Sequence, residues 1–147
     1  MPTLFDKPAS DREKSEYRLL YVGQDVEWYR RLKSELGLPA NRLVYCPGRS
    51  SAELYLESYI RYDLLLFDLD LLNEAGLEFV GLIRSLPHRQ HTPIIVLAAE
   101  EVIGRLKELV RSAGANECLS KIGDTSAAVE TIQRLLRECP PFDVETA

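Results

Sequence analysis

YDLLLFDLDLLNEAGLEFVGLIRS, residues 62 to 85, is the stretch on which the reading of this chain turns. Leu64-Leu65-Leu66-Phe67 is an unbroken apolar run without polar alternation, the pattern of a short strand covered on both faces. Asp68 closes the run, so its carboxylate emerges where a buried strand meets the rim of a sheet. From Ala75 the period changes. Phe79, Val80, Ile83 and Leu86 fall on one side of a helix, and Pro87 ends it.

Working outward, the same alternation of short apolar runs and helical stripes recurs. Strands are expected at LLYV (19 to 22), LVYC (43 to 46), IIVLAA (94 to 99) and, more weakly, CLS (118 to 120). A first helix after Asp25 carries Val26, Tyr29, Leu32 and Leu36 and stops at Gly37. Ser50 or Ser51 can cap a second, with Ala52, Tyr55, Leu56 and Tyr59 inward. Val102, Ile103, Leu106, Leu109, Val110 and Ala113 form the clearest stripe, closed by Gly114. Asp124 or Thr125 opens the last helix, with Val129, Ile132, Leu135 and Leu136 inward, and Pro140-Pro141 forbids its continuation. Five strands alternating with five helices make an α/β domain whose parallel sheet is covered on both faces. Residues 1 to 16, polar and charge-mixed, read as a mobile arm, 17 to 138 as the domain, and 139 to 147 as a tail or the start of a linker.

Composition narrows the function classes. With 147 residues there is room for one core, and 46% apolar against 28% charged residues is the balance of a soluble globular domain. The net charge of -5 does not offer a phosphate-neutralising face for nucleic acid. Three cysteines and two histidines, without CxxC or HxxxH spacing, write neither a disulfide framework nor a zinc site, and a reducing cytoplasm fits best. No apolar run approaches the ~18 residues that span a bilayer, and no signal-peptide core is present, so membrane partners are not expected. YVGQDVEW has one glycine where a dinucleotide fingerprint needs three. Trp28, Tyr29, Tyr45, Tyr55, Tyr59 and Tyr62 read as core or rim packing, and Arg30-Arg31 and His88-Arg89-Gln90-His91 as small surface clusters.

In a sheet of this kind, ligand chemistry belongs at the carboxyl ends of the strands. Those ends are Gly23-Gln24-Asp25, Asp68-Leu69-Asp70, Ala98-Ala99-Glu100 and Lys121. From residues alone, Asp68 and Lys121 are either a structural ion pair or part of a reactive site.

The segment 62 to 85, together with TPIIVLAAEE (92 to 101) and AGANECLSKIGD (113 to 124), resembles the receiver domain of bacterial response regulators, the family of the chemotaxis regulator. The resemblance implies a flavodoxin-like, doubly wound five-stranded sheet in the order 2-1-3-4-5. It places Asp68 at the phosphoacceptor position, Gly76 in the loop that follows, and Lys121 at the family's lysine position. In that family a histidine kinase supplies the phosphoryl group and magnesium assists. The acidic pair that helps hold the metal falls here on Gly23, which brings no ligand, and Gln24, which brings a neutral amide. Asp25 either compensates or caps the first helix; Asp70 is either a further metal ligand or a solvated loop acid. Magnesium would therefore be weak or absent, with Asp68, Asp70 and Gln24 the candidates, and no other cofactor is expected.

The switch positions depart as well. Ala98 stands where the resemblance puts a hydroxyl residue, Cys118 where it puts an aromatic one, and Ile122 where it puts a cis proline. The implied function is a two-component signalling module with a degenerate phosphorylation site, working through protein contacts. The alternative is a regulator phosphorylated by a histidine kinase on Asp68. No enzymatic activity is expected beyond, at most, autocatalytic phosphotransfer to Asp68. Implied partners are a sensor kinase, an output domain or an effector. A homodimer through the fourth helix, fifth strand and fifth helix would involve Arg105, Lys107, Glu108, Arg111 and Glu117.

Overall fold

The computed structural model describes residues 17–39, 42–68, 73–121 and 125–138, with the side chains of residues 73–76 and of Val102 excepted. The expected arm and tail, Asp70, Ile122, Asp124 and Cys139 lie outside the described residues. The elements in chain order are β1 Leu19–Val22, α1 Val26–Leu36, β2 Leu43–Cys46, α2 Arg49–Glu57, β3 Leu64–Asp68, α3 Asn73–Arg84, β4 Ile94–Ala98, α4 Glu100–Ala113, β5 Glu117–Ser120 and α5 Ser126–Glu138. A single 3-10 turn, Pro87–Arg89, joins α3 to β4. The strands pair in parallel in the order β2-β1-β3-β4-β5.

The apolar runs are continuous because alternate residues feed two cores. Leu20, Val22, Leu65, Phe67, Ile94 and Val96 pack on one face with Ala52 and Leu56 of α2, Phe79, Val80 and Ile83 of α3, and Val110 of α4. Leu19, Tyr21, Leu64, Leu66, Ile95 and Leu97 pack on the other with Trp28, Leu32 and Leu36 of α1 and with Ala128, Ile132, Leu135 and Leu136 of α5. The covered sheet is thus a consequence of right-handed crossovers that place helices on both sides. Asp68 has the parity of Leu64 and Leu66, so it belongs to the α1/α5 face.

The helix ends obey local chemistry. Asp25 Oδ1 accepts from the Trp28 amide at 3.1 Å, capping α1. Gly37 and Gly114 take φ values of 71° and 119°, the left-handed conformation that closes α1 and α4 without a Cβ penalty. Several expectations are corrected. Helix α2 starts at Arg49 with extended Gly48 as its N-cap and no side-chain cap, so Ser50 and Ser51 lie inside its first turn. It is held to the sheet by Ala52 and Leu56 alone, one helical turn apart, so Tyr55 is exposed and Tyr59 lies beyond the helix at 87% exposure. On α1 the buried stripe is Trp28, Leu32 and Leu36 at steps of four; Val26 turns outward at 40% exposure and Tyr29 lies at the rim. Leu109 on α4 is likewise outward at 53%, leaving Val110 to face the core. Gly76 falls within α3, which begins at Asn73, before the expected start, rather than in a preceding loop. Strand β4 stops at Ala98, because Ala99 is already the N-cap residue of α4.

Candidate functional site

The carboxyl ends of β1, β3 and β5 converge on one buried oxygen. Lys121 Nζ lies 2.6 Å from Asp68 Oδ2, reaching across β4, and 3.1 Å from Asp25 Oδ2. The Tyr21 hydroxyl lies 3.2 Å from the same Asp68 oxygen and accepts the Asp25 amide at 3.1 Å. Asp25 therefore has two tasks at once, one oxygen capping α1 and the other facing Lys121. Burial pushes its carboxyl up, but the Trp28 amide and Lys121 outweigh that and hold it below the usual carboxylate range. Burial first, and the neighbouring Asp68 charge second, drive the Tyr21 hydroxyl well above the ordinary tyrosine value.

Tyr21 was not legible as a site residue. It sits in an apolar run, and its role follows from register. Val22 pairs with Phe67, which brings Gly23 beside Asp68 and sets Tyr21 diagonally below it on the same face. The one available signal is a tyrosine among aliphatic strand residues, since a buried hydroxyl needs a partner. The ring is clamped by Trp28, Tyr29 and Tyr45, each with its centroid 5.8 Å away.

Gly23 is the tightest point. A Cβ placed there would lie 2.6 Å from the Tyr21 hydroxyl oxygen, 2.7 Å from Asp68 Cβ and 2.8 Å from Tyr21 Cζ. An acidic side chain at this position has no room unless the strand ends move apart. Gln24 is exposed and its amide nitrogen donates to the Pro47 carbonyl at 3.1 Å, over the end of β2. Ala98, buried at the end of β4, brings no hydroxyl, and Cys118 is a buried thiol raised by burial. Of the residues singled out, the fold brings Asp68, Lys121, Asp25 and Gly23 together and directs the Gln24 amide nitrogen elsewhere. Among the described residues no three His, Cys, Asp or Glu side chains gather as a metal would need. Among the described residues, Gly23 brings no side-chain oxygen to a magnesium ion, and Asp68 Oδ2 already faces an ammonium and a hydroxyl.

The architecture superposes on the chemotaxis response regulator CheY4 of Vibrio cholerae with a TM-score of 0.70 at 22% identity, covering 82% of this chain and 98% of that one. The fold is that of a response regulator receiver domain. A signal receiver domain of the DNA-binding response regulator merR from Colwellia psychrerythraea (TM-score 0.67, 18% identity, 83% and 99% covered) shares this receiver fold. So does a response regulator from Thermotoga maritima (0.67, 19%, 82% and 98%). No family model matches the chain. Over 60 residues it is 37% identical to the signal transduction histidine-protein kinase BarA of Escherichia coli K12, a match covering 41% of this chain and 6% of that protein. BarA of Shigella flexneri matches at 35% over 60 residues. The matched stretch is thus a small part of these curated relatives. None of the described helices of the receiver fold is long and apolar enough to cross a membrane.

The α4-β5-α5 face carries a charge network of its own. Arg134 Nη2 lies 2.7 Å from Glu117 Oε2, and Arg111 Nη2 lies 3.9 Å from Glu117 Oε1. Two of the five charges expected at an interface therefore engage each other, while Arg105, Lys107 and Glu108 are solvent-facing.

Proposed function

We propose that this chain is a signalling receiver module that works through protein contacts, with Asp68 held by Lys121 in place of an efficiently transferred phosphoryl group. The observation that carries this reading is the 2.6 Å approach of Lys121 Nζ to the buried Asp68 oxygen, with Tyr21 on the same oxygen. On a carboxylate this buried, an ammonium this close engages the oxygen's lone pairs and weakens it as a nucleophile. The missing acid at Gly23 removes the ligand that would bring a divalent cation to offset an incoming phosphoryl group. Ala98 has no hydroxyl with which to report such a group to the α4 face.

Partners on this reading are proteins: a sensor kinase, an output domain or an effector, with the α4-β5-α5 face as the contact surface and a second copy of the chain as one occupant. Nucleic acid is not a partner of this domain, and the working compartment is the cytoplasm. The rival reading, phosphorylation of Asp68 by a histidine kinase, is favoured by the position of Asp68 at the end of β3 beside a lysine. Incubation with acetyl phosphate and magnesium, followed by mass spectrometry, separates the two. The wild-type protein should gain no saturable adduct. A saturable adduct that disappears in Asp68→Asn would establish the rival. Asp68→Asn should instead change stability or partner binding, and no change in either would sink the first reading.

A further inference from the structure

A cavity lies at the opposite edge of the sheet, before the amino-terminal ends of β3 and β4. It encloses about 560 Å³ between the segment Tyr59–Asp63 and the segment Pro87–Pro93. We propose that it binds a small ligand combining a flat aromatic ring with one anionic group.

The anionic half follows from charge. Two guanidinium groups, Arg61 and Arg89, line the cavity beside one carboxylate, Asp63, with the rings of His88 and His91 next to them. That carboxylate is already engaged: Oδ1 takes Arg61 Nε at 3.2 Å, and Oδ2 takes the Arg18 amide at 2.8 Å. Arg89 is only 2% exposed, and among the described residues no carboxylate lies within ion-pair distance of it. Its Nε donates to the Leu56 carbonyl at 3.0 Å, and its Nη2 to those of Tyr55, Ser58 and Ile60 at 3.4, 2.9 and 2.7 Å. These bonds cap the end of α2 through two of the three guanidinium nitrogens, on a residue that lines the cavity. A full buried charge is then met by carbonyl dipoles and the Tyr62 ring, with no carboxylate, and burial holds the guanidinium below its ordinary value. An anion would complete the compensation. Because the whole chain carries a net charge of -5, a cavity lined by two arginines is not a by-product of basic composition.

The aromatic half follows from the walls. Tyr59 is 87% exposed yet ordered against His88, with ring centroids 4.7 Å apart, so its second face is open. Tyr62, Pro87 and Pro93 supply further flat apolar surface. The volume lies within the roughly 300 to 1,000 Å³ of small-molecule sites. None of these residues belongs to the Asp68 site, so the inference stands or falls independently of it.

Nuclear magnetic resonance titration of the full chain tests this. Two ring anions serve as probes, adenosine 5′-monophosphate and 2-naphthoate, with adenosine and inorganic phosphate as the ring-only and anion-only arms. At least one ring anion should move the His88, His91 and Tyr59 signals and bind about tenfold more tightly than either half alone. Preference for the first or the second identifies a nucleotide or an aromatic acid as the source. Tyr59→Ala and His91→Ala, both at exposed positions, should each weaken binding several-fold without unfolding the chain. The proposal is overturned if neither ring anion perturbs these signals at millimolar concentration, if phosphate alone binds equally well, or if both variants bind as the wild type does.

Discussion

Each edge of the sheet holds a cation, and the two are compensated differently. At the carboxyl edge, Lys121 stands between two carboxylates, 2.6 Å from Asp68 and 3.1 Å from Asp25. At the amino edge, Arg89 has only carbonyl oxygens and the face of Tyr62, 5.3 Å away. The first is a cluster of three formal charges; the second is a formal charge against dipoles beside a cavity. An α/β sheet ordinarily takes ligands at its carboxyl edge. Here that edge is occupied by the chain's own counter-ions, and the charge left to be balanced lies at the other.

Breaking the carboxyl-edge pair should have the largest effect. Lys121→Met leaves the buried Asp68 carboxylate without its cation and should cost about 3 kcal/mol in urea denaturation, because an uncompensated buried charge is the dearest outcome. Arg89→Met leaves carbonyls, not a charge, and three of the four belong to exposed or half-exposed residues that water can reach. Its cost should be about 2 kcal/mol, and a larger loss than that of Lys121→Met would reverse the comparison.

The smallest effect sharpens the carboxyl edge. Tyr21→Phe removes the hydroxyl from Asp68 Oδ2 and should cost about 1 kcal/mol at neutral pH. It should also change the alkaline limb of stability. The Tyr21 hydroxyl is raised above its ordinary 10.0, so as pH climbs past that value the unfolded chain loses this proton while the folded chain keeps it. Stability conferred by the folded, protonated form is complete below pH 10.0 and falls above it. Urea melts just below and above that pH should show a shallower loss in Tyr21→Phe than in the wild type.

The residues at the two edges were unequally legible. Asp68 and Lys121 stand at the ends of recognisable apolar runs, so their meeting could be anticipated once the strands were placed in order. Asp25 as a cap follows from its place before a helical stripe, but its second contact with Lys121 spans 96 residues and leaves no local trace. Tyr21 was hidden because period alone treats a strand tyrosine as apolar surface. His88 and Arg89 read as surface polarity, yet Arg89 is buried: a charged cluster on a short turn carries no mark of the helix end it will cap. The errors on α1, α2 and α4 have one cause. A helical stripe states which residues could face a sheet, and the width of the sheet beneath decides which of them do; at the β2 edge, Ala52 and Leu56 suffice.

The sequence by itself determined the strands, their parallel burial, the caps at Asp25, Gly37 and Gly114, and the absence of an acid at position 23. These rest on interactions within a few residues or on periodicity. Only the tertiary structure decided that Lys121 also meets Asp25, that Tyr21 and Gly23 fill the space beside Asp68, and that Arg89 is buried over a cavity with carbonyls in place of a counter-ion. Those outcomes depend on parallel register and on the distance between elements far apart in the chain, and charge compensation is set by that three-dimensional distance.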